Sequence, residues 1–255
     1  MLTSPRNPLI QHIRRLQSRA RARREAGEFV IEGIRLIEEA LQAGVRPRTL
    51  IHTPDVGARG ETLLAGLRAL GVDPLPVSPS VMQAASDTPT PQGVLAVLPI
   101  RPLPLPPAPG LVLVLDQVRD PGNLGAILRT AAAAGVEAAL LAPHTADPYA
   151  PKVVRAGMGA HFRIPIHPLP WDDIRQYTRG LHPFLADARA QLDYTAARYD
   201  RPLALIIGSE ATGPSAEANA LSPTRVRIPM PGGTESLNVA VAAGILLFEI
   251  LRQRK

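Results

Sequence analysis

Leu111-Val112-Leu113-Val114-Leu115-Asp116-Gln117-Val118-Arg119-Asp120-Pro121-Gly122-Asn123-Leu124-Gly125-Ala126-Ile127-Leu128-Arg129 is the stretch on which the fold turns. Its first five residues are wholly apolar, as in a parallel strand covered on both faces rather than one with a wet side. Pro121 and Gly122 make a turn, Asn123 can cap the helix that follows, and Arg129 falls within that helix's first two turns. The same alternation continues downstream. Short apolar runs at 138–141, 183–186, 203–207 and 226–228 are separated by helical segments at 124–134, 149–156, 171–179 and 237–252. Alternation of this kind predicts an α/β fold with a mostly parallel sheet. Ligands of such sheets bind in the loops beyond the carboxyl ends of the strands.

Two further loops stand at strand ends. Ile207-Gly208-Ser209-Glu210-Ala211-Thr212-Gly213 has two glycines that let backbone approach a ligand closely, with Glu210 at its tip. Ser209 or Glu210 could equally cap a helix beginning near Pro214. Ile228-Pro229-Met230-Pro231-Gly232-Gly233-Thr234-Glu235-Ser236-Leu237-Asn238-Val239-Ala240 is an irregular loop running into the last helix. Ser236 can serve as its N-cap, and Asn238 places a hydrogen-bonding amide at a helix start that otherwise reads as buried.

In this order and at these strand ends, the three segments resemble the three motifs of the SpoU or TrmH branch of the SPOUT RNA 2′-O-ribose methyltransferases. The resemblance covers roughly residues 110–255, and IPMPGGTESLNVAVA is close to the family's third motif over its full length. It implies a catalytic domain with a trefoil knot, S-adenosylmethionine as cofactor, RNA as substrate, a homodimer and no metal. Carried onto this chain, Asn123, Arg129, Glu210, Ser236 and Asn238 match the family's polar positions around the ribose. Gly208, Ile228, Met230 and Leu237 match its cofactor-binding loops. Gly157, in YAPKVVRAGMGAHFRIPI, stands where Ser is expected.

Upstream, PIRPLPLPPAPG at 99–110 forbids helix and favours extended structure, so 99–109 reads as a linker between a domain at 1–98 and another at 110–255. The first domain opens on a basic amphipathic helix with Leu9, Ile13 and Leu16 on one side. A strand at 29–32, helical spacing of Ile34, Ile37 and Leu41, strands at 49–52, 72–77 and 94–98 and a helix at 61–70 follow. These predict a small α/β sandwich. SPRNPLIQHIRRLQ and FVIEGIRLIEEAL resemble the L30e-like substrate-binding domain that precedes many catalytic domains of the family, typically in its ribosomal RNA members.

Seven arginines, Arg6, Arg14, Arg15, Arg19, Arg21, Arg23 and Arg24, stand in residues 1–27 against one acid, Glu25, which places the whole net charge of +6 there. A segment polarised in this way is expected to contact a polyanion. The resemblance implies that this polyanion is RNA, and the L30e-like front domain implies ribosomal RNA in preference to tRNA. The absence of cysteine excludes disulfides and thiolate chemistry, and leaves the cytoplasm as the expected compartment. The apolar run 239–251 is too short to span a bilayer. None of the six histidines forms an i, i+4 ligand pair. A nucleotide-binding oxidoreductase would need a G-x-G-x-x-G turn that 122–125 does not supply, whereas a non-catalytic RNA-binding protein is opposed by polar residues in all three motifs.

Overall fold

The computed structural model describes residues 1–209 and 213–254. In chain order the elements are α1 (Pro8–Ser18), α2 (Ala20–Ala26), β1 (Glu28–Glu32), α3 (Ile34–Gln42), β2 (Thr49–His52), α4 (Gly57–Ala69), β3 (Leu75–Pro76), α5 (Pro79–Ala85) and β4 (Val94–Pro99). Then follow β5 (Leu111–Leu115), α6 (Pro121–Ala133), β6 (Ala138–Leu141), α7 (Pro151–Gly157), β7 (Ile166–Pro168), α8 (Trp171–Tyr177), β8 (His182–Ala186), β9 (Leu192–Asp193), β10 (Leu203–Ile207), α9 (Ala216–Asn219), β11 (Thr224–Arg227) and α10 (Val239–Gln253). Two compact units result. One comprises Met1–Arg101 with Tyr149–Phe162, the other Pro102–Pro148 with Arg163–Lys255. The segment carrying α7, read from sequence as part of a continuous 110–255 unit, thus packs with the first.

In the first unit a four-stranded sheet runs β1-β4-β2-β3, antiparallel except for β2 with β3. One face sets Val30, Ile51, Leu95 and Val97 against Ile10, Ile13 and Leu16 of α1 and Val81, Met82 and Ala85 of α5. The other sets Phe29, Ile31, Leu50, Val94, Ala96 and Leu98 against α3, α4 and Val154 of α7. Helices on both faces explain why β1 and β4 are buried at every position instead of alternating, β4 being apolar throughout and β1 apolar between its terminal Glu28 and Glu32. The strand expected over 72–77 shrinks to Leu75–Pro76, because Pro74 and Pro76 have no N–H to give to a ladder.

Arg23 departs from the expectation that all seven arginines of the first 27 residues are open to a polyanion. Its side chain is buried at 4% exposure, and Nη1 donates to the carbonyls of Leu16 (2.5 Å) and Gln17 (3.3 Å) in the last turn of α1. It acts as a C-terminal cap for that helix. Arg6, Arg14, Arg15, Arg19, Arg21 and Arg24 are exposed.

The second unit has a seven-stranded sheet in the order β7-β6-β5-β10-β8-β11-β9, and every pairing in it is parallel. The sheet is the mostly parallel one expected, with two short edge strands, β7 and β9, that the sequence pattern did not single out. Val112, Val114, Leu140, Ala204 and Ile206 bury one face against Trp171 and Ile174 of α8 and Ala218 of α9. The proline-rich stretch is pinned to this unit. His167 Nε2 lies 2.8 Å from the Leu103 carbonyl, and the Tyr177 hydroxyl donates to the Pro106 carbonyl at 2.8 Å. Among the described residues no helix is long and apolar enough to cross a membrane.

Candidate active site

Because the sheet is parallel, the carboxyl ends of β8, β10 and β11 lie on one edge, and the loops leaving them wall a cleft of about 450 Å³. That volume suits a small-molecule site. Gly208, Ile228, Met230 and Leu237 all line it, as does Ser236. Ile207, Val226, Val239 and Leu246 give it apolar lining. At Gly208 a side chain would crowd the backbone of the opposite turn, since a Cβ there would lie 3.2 Å from Pro214 N and 3.3 Å from its Cα. The glycine therefore lets two loop segments approach as backbone.

Sequence reasoning passed over the loop after β8, although the rule of inspecting each strand end points straight at it. Asp187, Ala188 and Arg189 form part of the cleft wall. Burial works to raise the Asp187 carboxyl, but the Arg189 backbone N–H (2.9 Å) and the Arg225 guanidinium (2.5 Å) outweigh it and hold the group below the usual carboxylate range.

The helix starts differ from expectation by a few residues, with consequences for roles. Asp120, not Asn123, caps α6: its Oδ1 accepts from Asn123 N at 2.8 Å, and Pro121 occupies the first turn. Asn238, not Ser236, caps α10, its Oδ1 accepting from Ala240 N (3.0 Å) and Val241 N (3.3 Å). Asn238 is exposed rather than buried. Its Nδ2 donates to Asn123 Oδ1 at 3.0 Å, which joins two positions 115 residues apart. Ser215, rather than Ser209 or Glu210, caps α9. Arg129 lies on the exposed side of α6, six residues beyond Asn123. Glu210 lies outside the described residues. Among the described residues no three His, Asp or Glu side chains gather as a metal site would require.

What this edge can do chemically follows from its parts. A cleft lined partly by apolar side chains and partly by close backbone and polar groups can hold a small molecule that has both apolar and polar parts. A paired amide couple at two helix starts can orient a hydroxylated group presented to it.

Comparison with known proteins agrees with this geometry. Residues 110–248 match the model of the SpoU rRNA Methylase family, and residues 7–96 match that of the MRM3-like substrate binding domain. An uncharacterized tRNA/rRNA methyltransferase of Synechocystis is 36% identical over 99% of this chain and 94% of its own. The 23S rRNA guanosine 2′-O-methyltransferase RlmP of Bacillus subtilis is 32% identical over 98% of each chain. The solved structure of an AdoMet-bound rRNA methyltransferase from Sinorhizobium meliloti superposes with a TM-score of 0.88 at 34% identity, covering 98% of this chain and 97% of that one.

Proposed function

The chain belongs to the SpoU rRNA methylase family, and we propose on that basis that it methylates a ribose 2′-hydroxyl of RNA from S-adenosylmethionine, with 23S ribosomal RNA as substrate. The observation that carries this is the Asn238–Asn123 bond, which ties the first and third motifs into one site beside a cleft lined by four residues expected to hold the cofactor. The fit of the adenosyl group rests on the apolar part of the cleft lining and on the close backbone at Gly208, where a Cβ would crowd Pro214.

When bound, S-adenosylmethionine supplies a methyl carbon on a sulfonium, open to in-line attack by an oxygen. Transfer would form an O–CH₃ bond and break the S–CH₃ bond, leaving S-adenosylhomocysteine as the thioether, with the hydroxyl proton passing to solvent water. The protein's part is positioning and charge. Asn123 and Asn238 orient the ribose, Ser236 hydrogen-bonds nearby, and Glu210 orients the basic group. Arg129 is the electrostatic clamp on the neighbouring phosphate and on charge developing at the 2′-oxygen. Guanidinium is protonated at any ordinary pH, which favours that role over proton removal.

The exposed arginines of α1 and α2 engage the RNA backbone. A homodimer forms through the side of α10 on which Val241 and Phe248, seven residues apart, are 53% and 50% exposed and leave apolar surface for a second copy to cover. The cytoplasm is the place of action. The family's trefoil knot belongs to the same proposal.

The test is transfer of radiolabelled methyl from S-adenosylmethionine to purified 23S rRNA and to bulk tRNA, followed by digestion to nucleosides. Label in a 2′-O-methylnucleoside from 23S rRNA is expected. Label in tRNA alone would reassign the substrate, and cofactor-binding protein that labels neither RNA would favour a non-catalytic RNA-binding role.

A further inference from the structure

We propose that Asp116 is a positioning residue for the cofactor, holding in place the turn that carries Gly208, Gly213 and Pro214. The inference rests on the functional reading above and concerns a residue that no motif role covers.

Asp116 follows β5 directly and is fully buried, at 0% exposure. Its backbone N donates to the Ile207 carbonyl at 2.9 Å, the last residue of β10 before the cleft turn. Its Oδ2 accepts from Ser215 N at 2.7 Å, the residue on which the chain restarts after that turn. One residue thus grips both feet of the turn, which are themselves bridged by Gly213 N donating to the Ser209 carbonyl at 3.1 Å. Gly208, Ser209, Gly213 and Pro214 all line the cleft.

Two simpler duties for this carboxylate are already taken. Asp120 caps α6, and Ser215 Oγ caps α9 by accepting from Ala218 N at 3.1 Å. What α9 lacks is the return half of a capping box. That half is usually a Glu or Gln three residues after the cap, reaching back to the cap's own N–H. Here that position is Ala218, and Asp116 supplies the missing acceptor from 99 residues upstream. Burying a carboxylate is costly unless its oxygens are answered, yet no described residue donates to Oδ1. Next in the chain, Gln117 sits in the left-handed region at φ 59, a conformation that persists for such a residue only where its surroundings over-determine it. They do: Gln117 N donates to Thr145 Oγ1, and that hydroxyl donates to the Leu115 carbonyl. Residues 115–117 are therefore held one by one, immediately before the loop that leads to Asn123.

The consequence is a specific kinetic signature. Loss of the grip releases Ser215 and the adjoining cleft residues Gly213 and Pro214 and weakens cofactor binding, while RNA binding and the chemical step at saturating cofactor remain. The probes are Asp116→Ala, Asp116→Asn and Ser215→Pro, with Ser215→Ala as control. Ser215 has φ −65, so a proline ring fits there while removing the N–H that Asp116 accepts. Folding is checked by thermal melting and S-adenosylhomocysteine binding by calorimetry, followed by KM for each substrate and kcat.

Asp116→Ala and Ser215→Pro are expected to raise the cofactor Kd and KM by about tenfold or more, the scale of a lost charge-assisted hydrogen bond. KM for RNA and kcat should stay near the parent. Asp116→Asn keeps an acceptor and should recover most of the affinity, and Ser215→Ala keeps the N–H and should bind like the parent. If Asp116→Ala does not fold, the other three variants carry the comparison. Parental affinity in the folded variants overturns this inference alone, as does a fall in kcat with both KM values unchanged, which marks mere loss of folded protein. A parent without cofactor affinity overturns the functional reading and this inference with it.

Discussion

At the start of α10 one side chain performs two tasks that only an amide combines. Asn238 accepts from the helix's orphan N–H groups through Oδ1 and donates to Asn123 through Nδ2. Asp could cap but not donate, and Ser has a single oxygen for both duties. That chemistry is legible in sequence once Asn is seen before an apolar helix, although the residue is exposed and not buried as expected. Burial is what the sequence hides: nothing local distinguishes Arg23, buried on helix carbonyls, from Arg24 beside it, which is exposed. Asp116 was hidden for the same reason, since its partners are 91 and 99 residues away. Arg129 is the sharpest test at this scale. Replacing it by Ala should lower the methylation rate by at least ~10²-fold with cofactor affinity nearly unchanged, the scale of losing one preorganised electrostatic donor. Arg129→Lys keeps the charge but loses the planar fork, so a rate as low as that of Ala assigns the effect to two-point contact. Parental rates for both would reduce Arg129 to a solvated helix residue.

Among the elements, those with strong period and strong punctuation are legible in the sequence nearly to the residue, and those governed by distant partners are not. β10 falls on Leu203–Ile207 as expected, because a five-residue apolar run between polar breaks admits little else. The edge strands β7 and β9 are three and two residues long and exist only because a neighbouring strand offers a ladder. The end of α10 is likewise a tertiary feature. Glu249, 8% exposed, accepts from Arg252 Nε and Nη2 at 2.8 and 2.7 Å and from Gln253 Nε2 at 2.7 Å, and Gln253 also donates to the Ala197 carbonyl. The Arg252 and Gln253 hydrogen bonds hold the Glu249 carboxyl down at about 2. A carboxyl depressed in the folded state stabilises fully above its unfolded value of about 4.3, and that contribution fades as pH falls toward about 2. Because Arg252 is two-thirds exposed, the effect is screened and small. Urea melts between pH 5 and pH 2.5 should therefore show a steeper acid loss in the parent than in Glu249→Gln. Parallel curves would place the acid sensitivity elsewhere.

For the molecule as a whole, two properties decide its dealings with partners: an apolar stripe and a concentrated charge. If Val241 and Phe248 mark a subunit interface, light scattering should give twice 27.2 kDa for the parent. Phe248→Asp should give a monomer, because a charge cannot be buried there unpaired. The charge calls for a subtler experiment than removing residues 1–26, since α1 is no loose arm. Ile10, Ile13 and Leu16 are each at 0% exposure in the core of the first unit. At roughly 1.5–3 kcal/mol per buried side chain their loss would rival the roughly 5–15 kcal/mol that holds a domain together. Deletion would therefore measure unfolding rather than RNA contact. Substituting the exposed Arg14, Arg15, Arg19 and Arg24 by Gln leaves that core intact and also spares Arg23, whose guanidinium holds the end of α1. Each arginine that neutralises a phosphate releases condensed counterion, so the plot of log affinity against log salt should lose roughly 0.7–0.9 of slope per contact removed. A fall of about 3 for the fourfold variant, with cofactor affinity unchanged, would mean that all four side chains lie against the RNA backbone. An unchanged slope in a variant that melts like the parent would show that this charge faces solvent and that the RNA is held elsewhere.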